Sequence, residues 1–200
     1  WMESERMLHP IIRDENRITL QEGVVKEEKN FRLNNAPYGY LLYAATSNLY
    51  KKHPYGRLTI GYDADLEAAN IDDFLKFNNK FHKPGNAILT VAGDFEIEQT
   101  KQLIEKYFGG IPKSDKVVRS LPKEDPITET IVAEWRDPNI QVPALVIGYI
   151  TPKMNSRDSR ILNLLSTYLS VGKSSVLYKK MVDEKKVALA VQTVNLAQED

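Results

Sequence analysis

Hydrophobic residues recur every three or four positions through the first part of the chain. This period is typical of amphipathic helices, and it predicts helices over residues 2–8, 14–34, 37–52 and 71–82. Asp14 precedes the second helix as an N-cap, and Asn34 and Asn35 suit its end. For that helix the spacing predicts a buried stripe of Ile18, Val24, Val25 and Phe31.

The pattern changes at residue 87, where short apolar or alternating runs begin to interleave with helical ones. The runs predict strands at 87–93, 128–137, 142–150 and 186–198, with helices at 96–108, 156–171 and 174–184 between them. The predicted order is β-α-β-β-α-α-β. We therefore expect an α+β fold with two layers, a sheet with helices on one face, preceded by a helical N-terminal arm.

The composition excludes several classes of protein and partner. Lys and Arg number 27, as do Asp and Glu, so no net field favours nucleic acid. No apolar run approaches the roughly 18 residues of a membrane span. There is no Cys, which excludes disulfides and thiolate metal sites. The chain opens at Trp1 in the middle of a helical pattern, so we expect it to be a piece of a longer protein.

Candidate chemistry is sparse. His9, His53 and His82 lie far apart without metal-ligand spacing, and no nucleotide-binding or serine-hydrolase motif occurs. The residues therefore predict no catalytic group and no cofactor-binding group in this chain.

One carboxylate remains unexplained. Glu28 follows Val24 and Val25 by four and three residues and precedes Phe31 by three, which places it on the apolar side of its helix. A buried carboxylate must be protonated, paired with a cation or bound to a metal. An ion pair with Arg32 at i+4, or partial exposure at the helix end, would explain it equally well, and spacing alone leaves these alternatives open.

Seven stretches in one order and spacing carry a resemblance to a known family. They are ESERM (3–7), QEGVVKEE (21–28), APYG (36–39), HPYG (53–56), IDDFLKFNNKFHKPGNAILTVAGDFE (71–96), EKYFGGIP (105–112) and GKSSVLYKKMVDEKKVA (172–188). Together they resemble the pitrilysin or insulinase-like zinc metallopeptidases of the M16 family, which include the mitochondrial processing peptidase. The likeness runs over nearly the whole chain.

The resemblance implies a zinc-dependent endopeptidase. Family members carry an H-x-x-E-H motif whose two histidines bind zinc and whose glutamate acts as general base. A downstream glutamate supplies the third ligand, and by register it falls on Glu28. A supporting acid often lies two turns earlier, where this chain has Gln21. No H-x-x-E-H occurs in the 200 residues, so we expect zinc in the intact parent and neither zinc nor cleavage in this fragment.

The resemblance also implies an organisation and partners. Residues 1–56 would be the helical end of a preceding half-domain with the zinc-ligand helix, and residues 57–200 an α+β domain of the M16 C-terminal type. The parent would close like a clamshell on peptide or unfolded-protein substrates together with a second M16-like domain or subunit. The alternative is a non-catalytic M16-like subunit that completes a partner's chamber.

Two further expectations concern association and location. Without the preceding half, Val24, Val25 and Phe31 would be uncovered, which favours self-association of the fragment. The compartment is not fixed by the residues, and the resemblance alone favours the bacterial periplasm or envelope.

Overall fold

A computed structural model describes residues 1–10 and 14–199. Contacts between backbone positions divide the chain into two compact units, Trp1–Val146 and Ile147–Asp200, which we describe separately. No helix within the described residues is long and apolar enough to cross a membrane. The boundary predicted between residues 56 and 57 stays a prediction.

Helices account for the regular structure of both units. The first unit contains α1 (Met2–Leu8), α2 (Glu15–Lys29) with a π-helical continuation (Asn30–Asn34), α3 (Leu41–Leu49), α4 (Asp63–Ala68), α5 (Ile71–Phe81) and α6 (Ile97–Phe108). The second unit contains α7 (Arg157–Ser170) and a π-helix (Tyr178–Glu184). Short 3₁₀ turns occur at Pro54–Gly56 and Pro84–Asn86. The predicted helices are therefore present, although α3 is shorter than expected and α4 was not predicted.

Side-chain caps explain where several helices begin. The backbone N–H of Asn16 donates to the Asp14 carboxylate over 3.0 Å at the start of α2, as the sequence predicts. A capping box formed by Asn70 and Asp73 opens α5. These local bonds satisfy N–H groups that have no partner inside the helix, so the caps could be predicted without knowledge of the tertiary structure.

The predicted α+β fold is wrong. Between residues 14 and 199, as in residues 1–10, the structure contains no β-strand, and the four predicted strand segments are extended or irregular backbone. Their apolar side chains are largely exposed: Ile88 is 94%, Val132 89% and Leu145 86% accessible. The described architecture is helical, with long non-helical connections.

An alternating pattern of apolar and polar residues is not sufficient to form a strand. Alternation reports which side chains would suit a pleated, half-buried surface, whereas a strand exists only when its backbone groups pair with a neighbouring strand. Among the described residues no such ladder joins the four segments. One backbone hydrogen bond does involve the predicted strand at 186–198: the Met154 N–H donates to the carbonyl of Gln198 over 2.6 Å.

An aromatic cluster holds the first unit together over a long sequence separation. Tyr40 stacks on Trp135 with ring centroids 5.5 Å apart, and Tyr43 meets the same indole edge-on at 5.9 Å. Next to it, the Tyr38 N–H donates to the Asp137 carboxylate at 3.0 Å, and the Tyr38 hydroxyl donates to the Val142 carbonyl at 2.7 Å. The segment before α3 is thereby fixed to the turn after residue 134.

In the second unit, a polar seam joins α7 to the C-terminal segment. The Thr193 N–H donates to the Ser170 hydroxyl at 2.7 Å. The Asn195 amide donates to the Ser159 carbonyl at 3.1 Å and to Asn163 Oδ1 at 3.0 Å. Val194 and Leu196, which alternate with these polar residues, are exposed. Side-chain hydrogen bonds rather than apolar burial therefore hold this segment on the helix.

We predict that Trp135→Ala lowers the free energy of unfolding by about 2 kcal/mol, because it removes two aromatic contacts at once. Urea unfolding followed by circular dichroism measures this loss. Trp1→Ala is the matched control, since that indole is 71% exposed and should contribute less than about 0.5 kcal/mol. Equal effects of the two substitutions would show that the cluster does not stabilise the unit.

Gly172 adopts a φ of +81°, and no atom lies within 4 Å of a Cβ added there. We predict that Gly172→Ala costs about 1–2 kcal/mol through backbone strain alone. Gly110→Ala is the control, because that position also has open space but no left-handed φ. Thermal unfolding of both variants measures the difference. An unchanged melting temperature for Gly172→Ala would show that the left-handed backbone at this position does not disfavour a side chain.

Candidate functional site

Glu28 lies in the last turn of α2 and forms a local ion pair. Arg32 Nη2 is 2.9 Å from Glu28 Oε1, and the glutamate side chain is 42% exposed. Both explanations left open by the spacing, a pair with Arg32 and partial exposure, are thus confirmed. The role of Glu28 as a zinc ligand stays a prediction.

The side of α2 that carries Glu28 is turned toward solvent. Leu20, Val24 and Phe31 share that side of the helix, and they are 66%, 53% and 80% exposed. The predicted buried stripe is therefore wrong for Val24 and Phe31. Exposed apolar side chains beside an acid leave a surface that could be covered by another part of a larger protein or by another chain.

The opposite side of α2 is charged and packs against α4. Lys29 Nζ lies 3.0 Å from Asp63 Oδ1, and Lys26 Nζ lies 2.9 Å from Glu67 Oε1. The hydrogen bond to Glu67 raises the pKa of Lys26 above its ordinary value. The spacing of these residues in the sequence could have indicated the contact. Lys26 and Lys29 are three residues apart and Asp63 and Glu67 are four apart, so each pair lies on one side of its helix.

The described residues do not assemble a zinc site. No group of three His, Cys, Asp or Glu side chains among them could hold a metal ion, whereas a catalytic zinc needs three protein ligands. Glu28 fits such a site as one carboxylate donor, with a side chain 42% exposed. Gln21, two turns before it on the same helix, is exposed.

A second feature lies around the HPYG turn. His53 is buried, its ring packs on Tyr55 with centroids 4.0 Å apart, and its Nδ1 accepts from the Tyr55 N–H at 3.2 Å. The backbone N–H groups of His53 and Lys52 donate to the carboxylate of Glu124. These hydrogen bonds lower the pKa of Glu124, and the one from His53 has the largest effect. Packing and hydrogen bonding within the turn account for the burial of His53, so this histidine has a structural role.

The comparison with protein families is decisive. The model of the peptidase M16 inactive domain matches residues 68–199, more than half of the chain. The chain belongs to the M16 peptidase family. The resemblance inferred from the seven sequence motifs is thereby confirmed.

Similar proteins support the same assignment. The zinc protease PqqE of Helicobacter pylori is 29% identical over 185 residues, which cover 90% of this chain and 41% of that protein. The mitochondrial presequence protease of Saccharomyces cerevisiae is 25% identical over 187 residues, or 90% of this chain and 18% of the relative.

A solved structure agrees with these relatives. The crystal structure of a protease from Helicobacter pylori matches with a TM-score of 0.65 and 26% identity, over 94% of this chain and 46% of that one. This M16 chain spans less than half the length of the relatives it matches.

The hydrogen bonds to Glu124 predict a pH dependence of stability. Its folded-state pKa lies below the ordinary value of 4.5, so its contribution is present above that value and is lost as pH falls through the folded pKa. We expect Glu124→Gln to be less stable than the wild type at neutral pH, with the difference disappearing in acid. Urea midpoints from neutral pH to about pH 3 measure this.

Glu129→Gln is the control for that series, because Glu129 is exposed and lies in the same non-helical region. Its difference from the wild type should be small at every pH. A Glu124→Gln variant with a difference that does not vary with pH would contradict the proposed origin of the pKa shift.

Proposed function

We propose that this chain is part of a zinc-dependent metalloendopeptidase and that Glu28 supplies one carboxylate ligand to the zinc. The match to the M16 inactive domain over residues 68–199 carries the proposal. The zinc protease relative, which aligns over 90% of this chain, supports it. The remaining zinc ligands and the general base would come from parts of the protein beyond these 200 residues, since this chain covers 41% of that relative.

The position of Glu28 supports this role. Its side chain lies on the side of α2 that does not pack against α4, among exposed apolar side chains that an adjoining segment could cover. Arg32 pairs with one carboxylate oxygen, Oε1, and would orient the carboxylate, whose second oxygen would then be the metal donor. Zinc held there would supply the Lewis-acid chemistry needed for hydrolysis of a peptide bond.

The substrates of the parent would be peptides or unfolded proteins held in a chamber between two M16-like domains or subunits. The relative from Saccharomyces cerevisiae is named as a presequence protease. Another, from Schizosaccharomyces pombe, is named as a probable beta subunit of the mitochondrial processing peptidase. A chamber completed by a second domain is consistent with a chain that leaves one side of α2 uncovered.

A second candidate function is a non-catalytic M16-like subunit. The ion pair between Glu28 and Arg32 favours it, because the pair satisfies the carboxylate without a metal. Gln21 favours it as well, since the supporting acid expected from the resemblance is missing. Zinc binding by the intact protein separates the two candidates.

We predict that Glu28→Gln in the intact protein weakens zinc binding by about 100-fold or more and abolishes peptide cleavage, because a neutral amide is a poor zinc ligand. Metal analysis after dialysis and hydrolysis of a fluorogenic peptide measure both effects. Glu27→Gln is the matched control, with the same change of charge one residue away, and it should keep both properties.

An intact protein that binds no zinc, and in which Glu28→Gln changes neither property, would establish the non-catalytic alternative. Loss of zinc from both Glu28→Gln and Glu27→Gln would point to a general effect of charge on α2 rather than to ligation by Glu28.

A further inference from the structure

The contact between α2 and α4 is unusual because it is made by paired charges. Lys29 is buried, with a side chain only 9% exposed, and its ammonium group lies 3.0 Å from Asp63 Oδ1. One turn away, Lys26 pairs with Glu67 at 2.9 Å. Long charged side chains are seldom buried unless they are paired, so the burial of Lys29 depends on its pairing with Asp63.

The two pairs together restrict the rotation of α2 about its own axis. Residues three or four apart lie on one side of a helix, so both lysines of α2 face both acids of α4. A single ion pair would allow the helix to roll about that contact. Two pairs separated along the axis fix both the roll and the register of α2 against α4.

The direction in which Glu28 points depends on this rotation of α2. Each residue of an α-helix is turned by about 100° from the one before it, so holding Lys29 against α4 sets the direction of Glu28. Glu28 lies instead on the side of Val24, four residues earlier, which is exposed. Arg32 then restrains the carboxylate itself through its 2.9 Å contact with Oε1.

Apolar residues would hold the two helices together at least as firmly. Only Lys29 is buried in this contact, whereas Asp63 is 55% and Glu67 63% exposed, and partly exposed ion pairs contribute little stability. The stability of the contact therefore does not require charge, whereas a fixed orientation benefits from paired, directional contacts. We infer that Lys29 and Asp63, supported by Lys26 and Glu67, are positioning residues that hold Glu28 in the direction required for metal ligation. This inference rests on the proposed function.

The test is metal affinity in the intact protein, measured with Co²⁺ in place of zinc because its visible absorption reports ligand geometry. We expect Lys29→Met to weaken Co²⁺ binding about tenfold, the range found for residues that orient metal ligands, and to alter the absorption spectrum. Lys29→Arg should restore both, because it keeps the charge that faces Asp63.

A matched control removes an ion pair of the same kind elsewhere. Lys101 pairs with Glu98 at 3.0 Å on α6 with both side chains exposed, so Lys101→Met should leave the Co²⁺ affinity and spectrum unchanged. Asp63→Asn breaks the α2–α4 pair from the other side. Asp63 is 55% exposed, so this variant should fold and should reproduce the tenfold loss even if Lys29→Met does not fold.

The outcomes separate this inference from the proposed function. If Glu28→Gln leaves Co²⁺ binding unchanged, the ligand role that the proposed function gives to Glu28 is wrong. If Glu28→Gln abolishes binding while Lys29→Met and Asp63→Asn bind Co²⁺ as the wild type does, Glu28 is a ligand and the positioning role is wrong. Weakened binding in both positioning variants, with recovery in Lys29→Arg, establishes the inference.

Discussion

The arrangement of the first unit around α2 depends on the pairing of its lysines with the acids of α4. Lys29 and Lys26 turn the charged side of α2 toward Asp63 and Glu67, which leaves Leu20, Val24 and Phe31 in solvent. An amphipathic helix ordinarily buries its apolar side. In α2 the most buried side chain is Lys29, while Val25 and Ile18, which share its side of the helix, are half-buried. We infer that the charged contacts, rather than a fully buried apolar side, set the direction of Glu28.

Two further long-range contacts of this unit are aromatic or polar. Trp135 is held between Tyr40 and Tyr43, while Glu124 accepts hydrogen bonds from the backbone of the HPYG turn. Within the described part of the chain, Ile111 is the single apolar residue that is buried, and it is still 8% accessible. The described residues therefore owe their arrangement to a small number of directional contacts rather than to an extensive apolar core. Each such contact has a large effect on which surfaces are exposed.

This arrangement has consequences for the proposed function. A family match over residues 68–199 places the chain among the M16 peptidases, yet the described residues contain no complete metal site. A carboxylate on an exposed side of a helix, with apolar neighbours, is suited to a site assembled from several parts of a protein. In the described chain the ion pair with Arg32 satisfies the carboxylate of Glu28.

The amino-acid sequence by itself determined the Asp14 cap, the family and every described helix except α4, because these depend on local hydrogen bonds and on motifs in register. The Asp14 cap and the pairing of Glu28 with Arg32 were both accessible from spacing along the chain. The predicted strands, and the predicted burial of Val24 and Phe31 on α2, were wrong for a common reason. Periodicity shows which residues could share a surface, whereas backbone pairing and the choice of the packed side require a partner distant in sequence. Only the tertiary structure decided that α4 would take the charged side of α2, because Asp63 and Glu67 lie more than thirty residues from the lysines they bind.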